Sequence, residues 1–353
     1  MDKYMNCFSI PSDVAGTGAV SGSMRGLDYL GAYLRTSRWE YLLAEIPGLL
    51  TIFFIGASSI WRLVAPVVLE SLAVFILLYF MGFIINAYFD QEIDKKYTIF
   101  KNKIPDAVAL MGQGRTRAII AIQIAGAFMI TAHISYTMSS WIPLALVAAG
   151  TFFGVGYSLP PIQFKVRGWL HAVSLTLSAF LIPASFLYFI ISGGRPVLAP
   201  MIIILGFSIL HYGIAFANQA LDYLEDKAGG VRSPPVIWGM TNSLKLALVT
   251  IFAGMVIEFA GVYLLVVAGS GLLAILPGWS PAQMFSLMVP LILMGYYIPV
   301  SGLWKMYRAS VTRPMEDAIR YMKDICHYNQ WQASGIIGLM AVTGIIFVGA
   351  VAG

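Results

Sequence analysis

Charged side chains are scarce in this sequence. Lysine, arginine, aspartate and glutamate together make up 11% of the 353 residues, whereas hydrophobic residues make up 59%. Soluble globular proteins carry about 25% charged residues. This deficit excludes a soluble domain, and the hydrophobic content excludes a disordered or collagen-like chain. The composition therefore predicts a protein that crosses a membrane several times.

Cysteine and histidine are also rare. The two cysteines, Cys7 and Cys326, form no C-x-x-C pair, and the four histidines lack the spacing of metal ligands. The sequence therefore predicts neither a disulfide framework nor a zinc site. The net charge is +5. In a membrane protein such an excess indicates orientation in the bilayer, and we expect no nucleic acid partner.

Nine stretches are long and apolar enough to cross a bilayer, which needs about 20 residues per helix. Lipid tolerates only helices or closed barrels, and none of these stretches alternates as a strand would. The predicted fold is therefore an all-α membrane protein with nine transmembrane helices. The predicted spans are Tyr41–Ile60, Val64–Ile85, Ala118–Tyr136, Trp141–Leu159, Leu170–Ser192, Leu198–Gln219, Ser243–Gly269, Gln283–Trp304 and Gln332–Gly353.

The basic residues predict how this bundle is oriented. All of the 22 lysines and arginines except Arg62 and Arg195 fall on the side of the membrane that holds the N-terminus. The positive-inside rule makes that side cytoplasmic. Residues 1–38 are predicted to form a cytoplasmic tail, followed by a membrane domain of residues 39–353. Leucines at helical spacing in Leu27–Arg35 predict a helix on the membrane surface, with simple packing as the alternative.

Acidic residues concentrate where the second and sixth spans reach the cytoplasmic side. Two segments, beginning at Asn86 and at Asn218, both read N-x-x-x-D-x-x-x-D. A spacing of four places the asparagine and both aspartates on one helical face. The duplication indicates a four-helix unit that occurs twice, followed by a ninth helix. The four aspartates are Asp90, Asp94, Asp222 and Asp226.

Two acidic faces that meet across a bundle need positive charge, because neighbouring carboxylates raise one another's pKa. Magnesium binds through a few carboxylates together with substrate phosphates, so the pattern favours a diphosphate held by Mg²⁺. One alternative is that each motif is a solvated helix end. Another is a cation transporter, although its polar residues would extend along a pore. The basic residues nearby are Lys95, Lys96, Lys101, Lys103, Lys165, Arg167, Lys227 and Arg232.

These segments resemble the motifs of the UbiA superfamily of intramembrane prenyltransferases. NAYFDQEID, from Asn86, is similar to the first aspartate motif of that superfamily, and NQALDYLEDKAGGVRSPPVIWG, from Asn218, is similar to the second. GYSLPPIQFKVRGW, from Gly156, resembles the Tyr/Lys motif in its chlorophyll synthase branch. The resemblance covers about residues 40–350 and implies nine helices with cytoplasmic active-site loops.

The sequence departs from the superfamily pattern after the first motif. Ala87 stands where an aspartate is usual, which leaves Asp90, Glu92 and Asp94 as the acids of that motif. The usual N-x-x-x-R-P-x-P continuation is absent. Lys101 or Lys103 is therefore expected to replace its arginine as a contact to the diphosphate.

By this resemblance, the chain transfers a polyprenyl group from a prenyl diphosphate to a lipophilic acceptor inside the lipid bilayer. The resemblance implies that the four aspartates are catalytic and hold Mg²⁺, with two ions bridging the diphosphate. The implied diphosphate contacts are Asn86, Asn218, Tyr157, Lys165, Arg167, Lys101, Lys103, Lys227 and Arg232.

The acceptor or the first isoprene units would lie deeper in the bundle. Tyr79 and His211 each lie seven residues before the asparagine of a motif, and Glu45 lies within the first span. These three residues are candidates for that pocket, with packing of a core aromatic and a core histidine as the alternative. An intramembrane terpene cyclase on the same scaffold is the other enzyme that the pattern allows.

Overall fold

Long apolar segments form helices in this protein, because every backbone N–H and C=O in a bilayer must be hydrogen-bonded within the protein, and a helix does this within its own segment. The computed structural model describes residues 26–95, 104–268 and 278–352, and the regular structure in these ranges is entirely helical. The helices are α1 Gly26–Thr36, α2 Trp39–Gly56, α3 Ile60–Leu63, α4 Pro66–Asp94, α5 Ile104–Met111, α6 Gln113–Thr137, α7 Ile142–Ser158, α8 Trp169–Ile191, α9 Leu198–Leu221, α10 Tyr223–Gly229, α11 Pro234–Trp238, α12 Met240–Ala268, α13 Pro281–Thr312, α14 Met315–Ile325 and α15 Tyr328–Ala352.

Nine of these helices overlap the nine spans predicted from the sequence. In the described ranges, eight are long and apolar enough to cross a membrane, namely α2, α4, α6, α8, α9, α12, α13 and α15. The ninth, α7, is apolar but has only 17 residues. The predicted all-α membrane fold is therefore confirmed, and the chain is a multi-pass integral membrane protein.

The two acidic motifs differ in their local structure. Helix α4 continues without a break to Asp94, so Asn86, Asp90 and Asp94 lie on one helical face. In the second motif α9 ends at Leu221, and α10 begins only after Asp222. The backbone N–H of Asp222 donates a hydrogen bond to the carbonyl of Gln219, three residues earlier, so the helix ends in a tighter turn there. The continuous helical face predicted for the second motif is therefore interrupted at Asp222.

Helix α9 forms the centre of the bundle and packs closely on α12. Glycines occur on both sides of this contact, at Gly206 and Gly213 of α9 and at Gly254 and Gly261 of α12. A Cβ atom at Gly206 or Gly254 would lie 2.6 Å from a backbone nitrogen of the opposite helix. Small residues allow helices in a membrane to approach this closely and gain van der Waals contact. We call this contact the glycine seam.

Helix α1 contains the predicted surface segment Leu27–Arg35. Leu27 and Leu30 are exposed, whereas Ala32 is buried against Ala107 and Met111 of α5. The predicted helix is therefore present, and its position on a membrane surface stays a prediction. The division into a tail of residues 1–38 and a membrane domain also stays a prediction, because residues 1–25 lie outside the described ranges.

Candidate active site

The two acidic motifs meet at one cavity of about 360 Å³. Helix α4 carries the first motif to this cavity, and the end of α9 together with α10 carries the second. Side chains from α2, α7, α8 and α15 complete the wall. Of the residues predicted for the site, those that line the cavity are Asn86, Asp90, Asp94, Asn218, Asp222, Asp226, Tyr157, Lys165, Tyr79 and Glu45.

Lys165 crosses from the loop after α7 to the first motif. It forms an ion pair with Asp90, and both side chains are largely buried. The lysine belongs to a short 3₁₀ turn, Phe164–Val166, which points it inward. Burial lowers the pKa of Lys165 to about 8, and the negative charge of Asp226 opposes this shift. Lys165 is therefore a buried cation beside the acids of both motifs.

Asp226 is the buried acid of the second motif. Burial raises the pKa of Asp226 to about 7; the neighbouring Asp222 also raises it, while Lys165 acts in the opposite direction. Removal from water penalises the charged carboxylate, and a second carboxylate adds repulsion. A bound cation would relieve both penalties, so the electrostatics of this position favour cation binding.

Asn86 and Tyr157 are held in place by neighbours that the sequence analysis did not identify. Ser158 donates a hydrogen bond of 3.0 Å from Oγ to Oδ1 of Asn86. The Tyr157 hydroxyl lies 2.8 Å from Nε2 of His171, and Nδ1 of His171 is buried without a hydrogen-bond partner among the described residues. Tyr157 and His171 both line the cavity. The first turn of α8 therefore orients a hydroxyl beside the acidic end.

The cavity has an apolar wall and a tyrosine-rich wall. Helices α4, α7 and α8 form the apolar wall, which includes Leu78, Leu146, Val147, Ile182 and Phe186. Helices α2 and α15 form the other wall. The polar side chains of these helices that line the cavity are Tyr41, Glu45, Tyr328 and Gln332, and Arg38 joins them from the position before α2.

Tyr79 lies on the cavity face of α4 together with Phe75 and Phe83. Its ring centroid is 5.6 Å from that of Phe75 and 5.1 Å from that of Phe83. Four-residue spacing places these rings in line with Asn86 and the aspartates. The face of α4 thus changes from aromatic to acidic toward its carboxyl end.

Several predicted site residues lie away from the cavity lining. Arg167, Lys227 and Arg232 are exposed, and Arg167 donates to the backbone carbonyls of Ile162 and Pro161. His211 is buried behind the wall, where its ring centroid lies 4.1 Å from that of Phe207. The predicted contacts Lys101 and Lys103 lie outside the described residues, as does the side chain of Glu92.

The donor set of the cavity fits Mg²⁺. Its oxygen atoms come from carboxylates and amides, which are the hard ligands that magnesium takes. Within the described ranges, no group of three acidic, histidine or cysteine side chains is close enough to hold a metal ion alone. Magnesium usually keeps one or two protein carboxylates and fills its remaining positions with phosphate oxygens and water. Asp90, Asp94, Asp222 and Asp226 supply carboxylates from both sides of the cavity.

The sequence of this chain is similar to that of a known family. The sequence model of the UbiA prenyltransferase family matches residues 46–315, a range that includes both acidic motifs. No curated protein sequence matches the chain significantly.

Several solved structures resemble the fold. The UbiA homologue from Archaeoglobus fulgidus, bound to DMAPP and Mg²⁺, has a TM-score of 0.56 and 16% identity, and the match covers 87% of this chain and 99% of that one. The same homologue bound to GPP and Mg²⁺ gives the same values. A structure described for digeranylgeranylglyceryl phosphate synthase has a TM-score of 0.50 and 18% identity over 89% of this chain and 99% of that one. At these identities the likeness establishes the fold.

Proposed function

Because this chain belongs to the UbiA prenyltransferase family, we propose that it transfers a polyprenyl group from a prenyl diphosphate to a lipophilic acceptor, with Mg²⁺ as cofactor. The observation that carries this proposal is the cavity itself. Both acidic motifs line one end of it, and an apolar wall continues from them into the bundle. The chain would therefore hold a diphosphate and its hydrocarbon tail in one space.

The acidic end suits the diphosphate. Asp90 and Asp94 would hold Mg²⁺ on one side, and Asp222 and Asp226 would hold it on the other, with two ions in total. When bound, Mg²⁺ neutralises the diphosphate and makes it a better leaving group. Lys165 would add a positive charge, while Asn86 and Asn218 would contact the diphosphate or orient the acids. The structures of the Archaeoglobus fulgidus homologue with DMAPP or GPP and Mg²⁺ support this assignment.

The apolar wall suits the prenyl chain. Leu146, Val147 and Phe186 would exclude water from the carbon that loses the diphosphate, and the ring of Tyr79 would face the cation formed there. Basic residues concentrate at the membrane side on which the acidic motifs end. By the positive-inside rule this side, with the N-terminus and the active-site loops, is cytoplasmic.

His171 has a positioning role in this proposal. Its Nδ1 is buried without an acceptor among the described residues, and an orphaned buried N–H is rarer than an orphaned acceptor. The ring proton therefore belongs on Nε2, which donates to the Tyr157 oxygen 2.8 Å away. This arrangement directs the Tyr157 O–H toward the cavity, where it would donate to a diphosphate oxygen.

Replacing His171 is expected to act through Tyr157. His171→Leu should lower kcat by about tenfold, because Tyr157 loses the group that orients its hydroxyl. His171→Gln, which keeps an N–H donor at similar reach, should retain most of the activity. Adding Tyr157→Phe to His171→Leu should cause little further loss, since the two residues act as a unit. Steady-state kinetics of the three variants measures this, and additive losses would contradict the positioning role.

An acceptor requirement separates a transferase from a cyclase. Both enzymes ionise the same diphosphate, but only a transferase needs a second molecule to capture the prenyl cation. Purified protein with Mg²⁺ and a panel of prenyl diphosphates should release diphosphate slowly. Addition of extracted membrane lipids should accelerate the release and yield a prenylated adduct, measured by mass spectrometry. Rapid release without lipid, together with a cyclic hydrocarbon or alcohol, would identify a cyclase instead.

A further inference from the structure

Glu225 is a buried carboxylate that lies, in sequence, between the two aspartates of the second motif. It belongs to α10 and immediately precedes Asp226. Asp222 and Asp226 line the cavity, whereas Glu225 does not. The Glu225 side chain is 2% exposed, and neither of its carboxylate oxygens has a hydrogen-bond partner among the described residues. Burial of such a carboxylate is costly unless a cation lies beside it.

Helix α14 supplies that cation. Lys323 is only 14% exposed, and its Nζ lies 4.0 Å from Oε1 of Glu225. The inward direction of Lys323 is an exception on this helix, because the other four of its five charged side chains are exposed. Those four are Glu316, Asp317, Arg320 and Asp324.

Apolar contacts bring α14 to the second motif. Helix α14 packs on α9, and its apolar side chains belong to the same buried core as Ala217 and Ala220 near the end of α9. The buried residues of α14 are Ala318, Ile319 and Met322. Lys323 directly follows Met322, so this packing carries the lysine toward the segment that continues from α9.

The placement of the second motif depends on contacts from outside its own helix. Helix α9 ends at Leu221, and α10 has only seven residues. An isolated helix of fewer than about 12 residues is marginal in water, so α10 needs contacts with the rest of the protein. The first motif differs, because it lies on α4, a continuous helix of 29 residues. The ion pair of Glu225 and Lys323 is one contact that can fix α10.

We propose that Glu225 and Lys323 are positioning residues, which hold the second acidic motif in the geometry that binds Mg²⁺ and the diphosphate. This inference rests on the proposed prenyl transfer. Successive residues of a helix are turned by about 100° from one another. An ionic contact that fixes Glu225 on the α14 side of α10 therefore also fixes Asp226 on the cavity side.

The Mg²⁺ requirement for ligand binding tests this inference. The ligand is geranyl thiolodiphosphate, an analogue that ionises too slowly to react. Its dissociation constant for the protein in detergent is measured by calorimetry at a series of free Mg²⁺ concentrations. Glu225→Gln should raise the Mg²⁺ concentration for half-maximal binding by about tenfold, because loss of a residue that orients metal ligands typically weakens metal binding by 10- to 100-fold.

Variants of Lys323 show whether the two residues act together. Lys323→Met should raise the Mg²⁺ requirement as Glu225→Gln does, whereas Lys323→Arg, which keeps the charge, should retain most of the wild-type behaviour. The double variant Glu225→Gln/Lys323→Met should need no more Mg²⁺ than either single variant, since a shared contact can be lost only once. Losses that multiply in the double variant would overturn the inference.

Glu316→Gln is the matched control. It makes the same chemical change at an exposed position in the first turn of α14, and its Mg²⁺ requirement should equal that of the wild-type protein. Thermal unfolding of each variant reports the stability of the fold separately. A purely structural ion pair would lower the unfolding temperature and leave the Mg²⁺ requirement of the folded protein unchanged. That result would overturn the positioning role.

The double variant also keeps the test decisive where a single variant does not fold, because it leaves neither member of the pair as an uncompensated charge. Analogue binding that requires Mg²⁺ in the wild-type protein and is unchanged in the double variant would overturn this inference alone. Failure of the wild-type protein to bind the analogue in Mg²⁺ would overturn the proposed prenyl transfer, and this inference with it.

Discussion

Replacing Asp90 or Asp222 by asparagine is expected to lower kcat on the order of a thousandfold. Both residues line the cavity, one on each side, and each is expected to supply negative charge to Mg²⁺ at the diphosphate. Asparagine keeps the shape of the side chain and removes that charge. Because the leaving group depends on cations from both sides, loss of either carboxylate should be nearly as severe as loss of both. Diphosphate release by purified variants measures the effect.

Asp106→Asn is the matched control for this experiment. Asp106 lies in the first turn of α5, is exposed and does not line the cavity. Its variant should retain the activity of the wild-type protein. Thermal unfolding of all variants separates loss of chemistry from loss of fold. Wild-type turnover in an Asp90→Asn/Asp222→Asn double variant would falsify the proposed diphosphate site.

Chelation of Mg²⁺ by EDTA is expected to abolish transfer, and added Mg²⁺ is expected to restore it. Protein side chains in the described ranges do not provide three ligands for one ion. Phosphate oxygens and water are expected to fill the remaining positions, and each ligand should strengthen binding of the other. The dissociation constant of geranyl thiolodiphosphate, measured by calorimetry, should fall as the Mg²⁺ concentration rises, and that of Mg²⁺ should fall when the analogue is present.

Calcium provides the control for the metal prediction. Ca²⁺ takes more oxygen ligands at longer distances than Mg²⁺, so it should support binding of the analogue better than it supports turnover. Undiminished transfer in the presence of EDTA would rule out the metal site, whatever the effect of the aspartate substitutions.

The sequence was sufficient to predict the helical architecture. Hydropathy identified the eight spanning helices of the described ranges and the shorter α7, because each must bury a run of apolar residues in lipid. It did not reveal the interruption at Asp222, since hydrogen bonding of one backbone N–H leaves no periodic signal. Helix α4 continues beyond the predicted span to Asp94, as the four-residue spacing of its motif predicted, because its polar end leaves the apolar region while remaining helical.

The sequence predicted the acidic end of the cavity better than its walls. The four-residue spacing predicted that Asn86 and Asp90 share one helical face. The second copy of the motif, from Asn218, predicted the acids on the other side of the cavity. Positive charge alone did not predict which basic residues line the cavity. The positive-inside rule accounts for a basic residue in a loop whether its side chain faces the cavity or the solvent. Arg167 is an example, since its guanidinium donates hydrogen bonds to backbone carbonyls of its own loop and does not reach the cavity.

Partners from distant segments were not predictable. His171 contacts Tyr157 across a turn that a single sequence does not specify, and Tyr328 reaches the cavity from the start of the last span. Their polar side chains at the ends of apolar runs were the available signal. That signal also occurs in residues that simply face the membrane interface, so it was not specific.

The glycine seam has a consequence for how this protein can move. Where backbones touch, one helix cannot slide or rotate past another without collision, because backbone atoms of each helix lie directly against the glycines of the other. The part of the cavity wall that bears Asn218 is thus fixed to α12 as a stationary frame. Any opening that admits a bulky substrate should therefore come from α4 and the loop bearing Lys165, which are joined by the ion pair between Lys165 and Asp90.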